Sequence, residues 1–135
     1  FYKKYLKFKP KIAICGINPH CETNEKINEE DTIIMPVIKK LKYNSIYLKG
    51  PFPADTMFTQ NNRKKFNVII GMYHDQVLSP IKALYNFDAI NITLGLPFLR
   101  ISPDHGPNYQ MIGKNKSDVT SLKKTFQFAS KFNEI

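Results

Sequence analysis

Four short runs of mostly apolar residues recur along the chain: "KIAICGIN" (11–18), "SIYLKGPF" (45–52), "NVIIGMY" (67–73) and "AINITLG" (89–95). Each is about one β-strand long, and segments with apolar residues at helical spacing lie between them. That alternation limits the chain to an α/β fold with a largely parallel sheet, because parallel strands need crossovers of helix length. "KIAICGIN" shows no polar alternation and reads as a strand buried on both faces.

The helical segments can be placed with similar arguments. "EEDTIIMPVIKKLKY" (29–43) carries a stripe of Ile33, Ile34, Val37, Ile38 and Leu41, with its acids first and its lysines last, as the helix dipole favours. Pro36 conflicts with a continuous helix, so the helix either begins later than Glu29 or bends there. "FYKKYLKF" reads as the tail of a helix already under way, and "QVLSPIKALYNF" (76–87) as a helix with a proline in its early turns. "PFLRIS" (97–102) is extended, and Asp118 to Asn133 forms a closing helix. On that helix Leu122, Phe126 and Ala129 share one face, with Phe128 and Phe132 beside them. A length of 135 residues, without repeats or a Gly/Ser-rich linker, suits one core-forming domain.

Composition narrows the partners. The formal charge of +9, from 20 Lys+Arg against 11 Asp+Glu, favours anionic ligands. The basic residues are nearly all lysine and are spread along the chain, and Lys, Asn and Ile are abundant as in an AT-rich genome. An anionic small molecule is therefore expected, and no nucleic acid. No run reaches the roughly 18 apolar residues of a membrane span, and no signal-peptide pattern opens the chain. Cys15 lies inside an apolar run and Cys21 follows a histidine; two cysteines at this spacing make neither a zinc finger nor a disulfide framework, so reduced thiols and a cytoplasmic location are expected.

Polar residues gather after the strands. His20, His74 and His105 each follow an apolar run, where ligands bind in open α/β sheets if those runs are parallel strands. "GMYHDQVLSPIK" (71–82) sets His74, Asp75, Gln76 and Lys82 close together. Two histidines plus a third ligand from elsewhere can hold a catalytic divalent metal. Lys82 and Arg100 could grip a phosphate or carboxylate; a solvated surface charge is the alternative for Lys82, whereas Arg100 follows "LGLPFL" and is expected near buried structure. Asp75 reads as a partner orienting an imidazole or as a helix N-cap, and Asp55 in "PADT" as a site carboxylate or a cap of the segment that follows; the two roles are compatible. No G-x-G-x-x-G turn, Walker A sequence, G-x-S-x-G elbow or H-E-x-x-H helix is present.

The stretches "GINPH", "GPFPADTMF", "GMYHDQVLSPIK", "NITLGLPFLRISPDHG" and "IGKNKSD" resemble, in order and spacing, the C-terminal two-fifths of the 4-hydroxythreonine-4-phosphate dehydrogenase family. The resemblance implies a three-layer α/β/α fold like that of isocitrate and isopropylmalate dehydrogenases, incomplete at the N-terminus. About 1–90 would belong to the metal and substrate domain, and about 91–135 would return to the other domain with the cofactor loop. The implied reaction is NAD- or NADP-dependent oxidation of 4-phosphooxy-threonine, then decarboxylation to 3-amino-2-oxopropyl phosphate, on the route to pyridoxal phosphate. By resemblance, His20 and His74 would be ligands of a divalent metal (zinc, magnesium or cobalt), with the third histidine in the family's N-terminal half. His74 and Lys82 would be catalytic; Lys82, Asn91 and Arg100 would contact the phosphorylated hydroxy-amino acid; His105, Gly106 and Asp118 would bind the cofactor. A homodimer sharing the metal site is also implied.

Two departures stand out. "CETNEKINEED" lacks the family's usual glycines, which leaves Asn24 and Asn28 as candidates for positive-φ positions. Pro107 and Asn108 stand where Thr-Ala is common. A four-carbon sugar-acid phosphate dehydrogenase and a non-catalytic truncated chain are the alternative readings, and on the first reading the chain alone is expected to be inactive.

Overall fold

The computed structural model describes residues 1–21 and 28–132. Two compact units divide the chain, one of Tyr2–Pro80 and one of Ile81–Ile135 together with Phe1. Asn24 lies outside the described residues, as does Asn133 at the expected end of the closing helix.

The first unit is built on three parallel strands in the order β2-β1-β3, with β1 at Ile12–Cys15, β2 at Leu48–Phe52 and β3 at Val68–Ile70. The central β1 is packed on both faces, fully buried at Ala13 and Cys15 and partly buried at Ile12 and Ile14. Ala13 and Cys15 point to one side, where Met57 and partly buried Phe52, Phe58 and Phe66 pack. Ile12 and Ile14 join the other side with Ile34, Ile38 and Leu48. Met57 lies on a short helix, α2 (Ala54–Met57), followed by α3 (Gln60–Arg63); Ile38 lies on α1 (Met35–Tyr43). Helical residues thus cover both faces of the strand. Beside β1 the β2 register slips, and Gly50 (φ 140°) meets it there. A Cβ at Gly50 would stand 2.4 Å from the Ile14 carbonyl oxygen, so no side chain fits.

Pro36 is accommodated by a widened turn. Glu30–Ile34 forms a π-helical turn in which the Met35 N–H reaches back to the Glu30 carbonyl. Regular helix begins only at Met35, which places Pro36 in its first turn, where an absent N–H costs little. Asn28 starts this segment by accepting the Asp31 N–H on its Oδ1 at 2.8 Å. In the preceding loop, Cys21 takes a positive φ of 56°. The N-terminal Tyr2–Leu6 is one π-helical turn.

In the second unit, β4 (Ile90–Thr93) and β5 (Arg100–Pro103) form an antiparallel ribbon, pairing Asn91 with Ser102 and Thr93 with Arg100. His105 therefore follows an antiparallel strand, so the parallel-sheet argument for its placement does not hold. α5 (Thr120–Ser130) packs on both strands. Its Leu122–Phe126 face is not the buried one: Leu122 is 41% and Phe126 69% exposed, whereas Ser121 is 1% exposed. The Ser121 hydroxyl donates to the Ala89 carbonyl at 2.6 Å and accepts the Asp104 N–H at 2.8 Å. Those two bonds, made where water is excluded, fix the rotation of the helix against its apolar stripe. α4 (His74–Tyr85) contributes residues to both units and carries Pro80 internally.

Candidate functional sites

In the first unit, β1 and β3 are neighbours and parallel, with Ile14 opposite Ile70. Their carboxyl ends therefore open at the same edge of the sheet, and each end leads into a histidine-bearing loop. The loop after β1 carries the exposed His20, whose backbone N–H is held by Asn18 Oδ1 at 2.9 Å. The loop after β3 leads to His74, the first residue of α4. Gln76 ties the two loops together: its Nε2 donates to the Gly16 carbonyl at 2.8 Å, and its Oε1 accepts the Met72 N–H at 2.7 Å.

His74 Nδ1 lies 2.7 Å from Asp75 Oδ1, with the two side chains 77% and 85% exposed. A pair this exposed adds little stability. It does orient the ring, because an imidazole whose Nδ1 donates to a carboxylate presents Nε2 as its lone-pair donor. Asp75 is the second residue of α4 rather than the residue preceding it, so the arrangement matches the orienting reading and not the cap. Asp55 sits in the first turn of α2 and accepts the Thr56 N–H at 2.6 Å, a local turn bond. Among the described residues no three of His, Cys, Asp and Glu are grouped so as to hold a metal ion. Two imidazoles at one sheet edge suit a divalent cation but form an incomplete ligand set.

In the second unit, Lys82, Asp104, His105, Gly106, Lys116 and Asp118 line a cavity of about 560 Å³, together with Pro107 and Asn108, the two residues that depart from the family pattern. Lys82 is half-buried and paired rather than a free surface charge. Its ammonium donates to Asp104 Oδ2 at 2.8 Å and to the Asp104 backbone carbonyl, and it lies 5.4 Å from the centre of the Phe87 ring. Two of its three N–H donors are thus committed, leaving one for a ligand. Asn91 and Arg100 share one face of the ribbon, since Asn91 and Thr93 are two apart on β4 and Arg100 pairs with Thr93. Arg100 is exposed rather than near buried structure, as are Leu94, Leu96 and Phe98 of the intervening loop. Its guanidinium donates to Thr93 Oγ1 at 2.8 Å. His105 Nδ1 lies 3.2 Å from the Gly106 carbonyl. Asp118 accepts the Thr120 N–H at 2.8 Å just ahead of α5, and bonding to Thr120, with a smaller contribution from Lys123, lowers its pKa.

Asp104, Ser121, Glu30 and Gln76 hold these residues in place, and sequence reasoning gave no role to the first three. Gln76 and Asp104 stand in the quoted stretches "GMYHDQVLSPIK" and "NITLGLPFLRISPDHG", Glu30 has no signal beyond being an acid near a helix start, and Ser121 has none.

The family model described as "Pyridoxal phosphate biosynthetic protein PdxA" matches residues 2–129. The chain is 47% identical over 130 residues to the 4-hydroxythreonine-4-phosphate dehydrogenase of Sulfurihydrogenibium sp. (strain YO3AOP1), covering 96% of this chain and 40% of that protein. It is 44% identical over 124 residues to the enzyme of the same name from Bradyrhizobium diazoefficiens, covering 91% of this chain and 36% of that protein. Among solved structures it is similar to one titled a putative 4-hydroxythreonine-4-phosphate dehydrogenase from Salmonella typhimurium, with a TM-score of 0.76 and 35% identity over 96% of this chain and 41% of that one. The fold is accordingly of the isocitrate/isopropylmalate dehydrogenase type, and the chain spans about two-fifths of its relatives' length.

Proposed function

The chain belongs to the PdxA family of pyridoxal phosphate biosynthetic proteins, and from that premise we propose that it is the C-terminal part of a 4-hydroxythreonine-4-phosphate dehydrogenase. The complete enzyme would oxidise 4-phosphooxy-L-threonine with NAD or NADP in the presence of a divalent metal, and the product would lose CO2 to give 3-amino-2-oxopropyl phosphate. The observation that carries this reading is the placement of His20 and His74 at the carboxyl ends of adjacent parallel strands, tied by Gln76.

Each residue has a task that its surroundings suit. His20 and His74 would hold the cation, with Asp75 fixing the His74 ring so that Nε2 faces outward. A bound divalent cation supplies Lewis acidity at the substrate hydroxyl, and a bound nicotinamide dinucleotide supplies the hydride acceptor. Lys82, kept in place by Asp104, would offer its remaining N–H to the substrate's phosphate or carboxylate, and Arg100 and Asn91 would bind from the ribbon face. His105, Gly106 and Asp118 line a cavity within the usual size range of small-molecule sites and would take the nucleotide. The remaining metal ligand would come from outside these 135 residues, with a homodimer sharing the site. About 1–90 would serve the metal and substrate domain, and about 91–135 the return to the other domain.

Two measurements test this. The 135-residue chain alone, loaded with metal, is expected to produce no NADH from 4-phosphooxy-threonine; steady turnover would overturn the partial-enzyme reading. In the complete enzyme, His74→Ala is expected to abolish metal retention by elemental analysis, and unchanged metal content would remove His74 from the ligand set.

A further inference from the structure

Glu30 is a carboxylate in an unusual place. It is 3% exposed, it opens the π-helical turn ahead of α1, and only one of its oxygens has a partner. Oε1 accepts the Asn18 N–H at 2.6 Å, while Oε2 has no partner among the described residues. A buried carboxylate with an orphaned oxygen is a poor choice for stability, because the lost hydration is only partly replaced. π-turns are also frequent at functional sites.

What Glu30 holds is the loop that carries His20. Asn18, fixed through its N–H by Glu30, uses its own Oδ1 to accept the His20 N–H at 2.9 Å, and its carbonyl accepts the Cys21 N–H at 3.0 Å. Gly16 makes the close packing possible, since a Cβ there would stand 2.7 Å from Cys21 Sγ and 3.0 Å from Glu30 Oε1. Gln76 fixes the same loop from the β3 side, through the Gly16 carbonyl. These backbone anchors hold the loop while His20 itself is exposed.

We propose that Glu30 is a positioning residue for His20, acting through Asn18 to hold the imidazole where a divalent cation can meet it. The proposal rests on the reading of His20 as a metal ligand, and its test separates the two. Support of this kind around a ligand is commonly worth about tenfold to a hundredfold in metal affinity.

Cobalt(II) binding by the complete protein, followed by the visible absorption of the bound ion, compares wild type with His20→Ala, Glu30→Ala, Glu30→Gln and Asn18→Ala. Glu30→Ala is expected to weaken binding at least tenfold and to alter the spectrum. Glu30→Gln keeps an oxygen for the Asn18 N–H and should recover to within about threefold of wild type. Loss of binding in His20→Ala with wild-type affinity in Glu30→Ala overturns the positioning role alone. Wild-type affinity in His20→Ala overturns the ligand assignment beneath it. Equal losses in Glu30→Gln and Glu30→Ala that track the melting temperature make Glu30 merely structural. Should Glu30→Ala fail to fold, Asn18→Ala cuts the same relay with Glu30 in place, and unchanged cobalt affinity there overturns the proposal.

Discussion

The two units bury their apolar residues to different extents. In Tyr2–Pro80, β1 carries side chains into cores on both of its faces, and Ala13, Cys15, Ile34, Leu48 and Met57 are all buried. In the unit beginning at Ile81, the one buried residue among those described is Ser121, while Leu94, Phe98, Tyr109, Ile112 and Phe126 are largely exposed. The first unit is held chiefly by packing, the second by a polar knot of Ser121, Asp104 and Lys82 around a two-stranded ribbon. Exposed apolar patches commonly mark a surface that something else covers, and among the described residues Leu122 is covered only in part and Phe126 little. The candidate ligand loops sit on the well-packed unit, the cavity lined by Lys82 and Asp104 on the thinly packed one.

That contrast can be broken by substitution. Leu48→Ala, which removes a side chain shared by β2 and the α1 core, is expected to cost about 2–5 kcal/mol in chemical denaturation; a loss under about 1 kcal/mol would show that the first unit is not packing-limited. Ser121→Ala should cost about 1–3 kcal/mol, because it leaves the Ala89 carbonyl and the Asp104 N–H without partners where water is scarce. Its effect should also reach Lys82 through Asp104. Phe126→Ser, by contrast, should change the stability of this chain by no more than about 0.5 kcal/mol. A larger loss would mean that the exposed face of α5 is covered in solution.

The smallest effect is electrostatic. The folded-state pKa of Asp118 lies below its ordinary value, chiefly through bonding to Thr120. Its contribution is present above the unfolded pKa and is lost as pH falls through the folded one. The difference in melting temperature between wild type and Asp118→Asn should therefore shrink as the carboxylate range is crossed downward. A difference that stays constant there would mean that the charge of Asp118 does not support the start of α5.

Much of the first unit was legible because its elements obey local rules. A strand buried on both faces has no polar alternation, and "KIAICGIN" has none. The turn at Pro36 was legible as a conflict, though its resolution by a π-turn was not, because the extra residue is absorbed by bonds to Glu30 and Asn28 that only the folded chain supplies. The α5 face was misleading: its apolar periodicity marks a face that could be buried, and two buried hydrogen bonds of Ser121 chose another. Arg100 followed an apolar stretch that is itself exposed, so proximity in sequence to apolar residues carried no information about burial.

By itself, the sequence determined the alternation of strand and helix, the family, and which residues are candidates for holding a metal or an anion, because side-chain type and spacing are properties of the chain. Tertiary structure alone decided which of them share a sheet edge, that Lys82 is paired with Asp104, and that Glu30 accepts the Asn18 N–H in the loop that carries His20. The physical reason is that these are hydrogen bonds between residues 12 to 60 positions apart, whose geometry exists only once the strands have set the distances between loops.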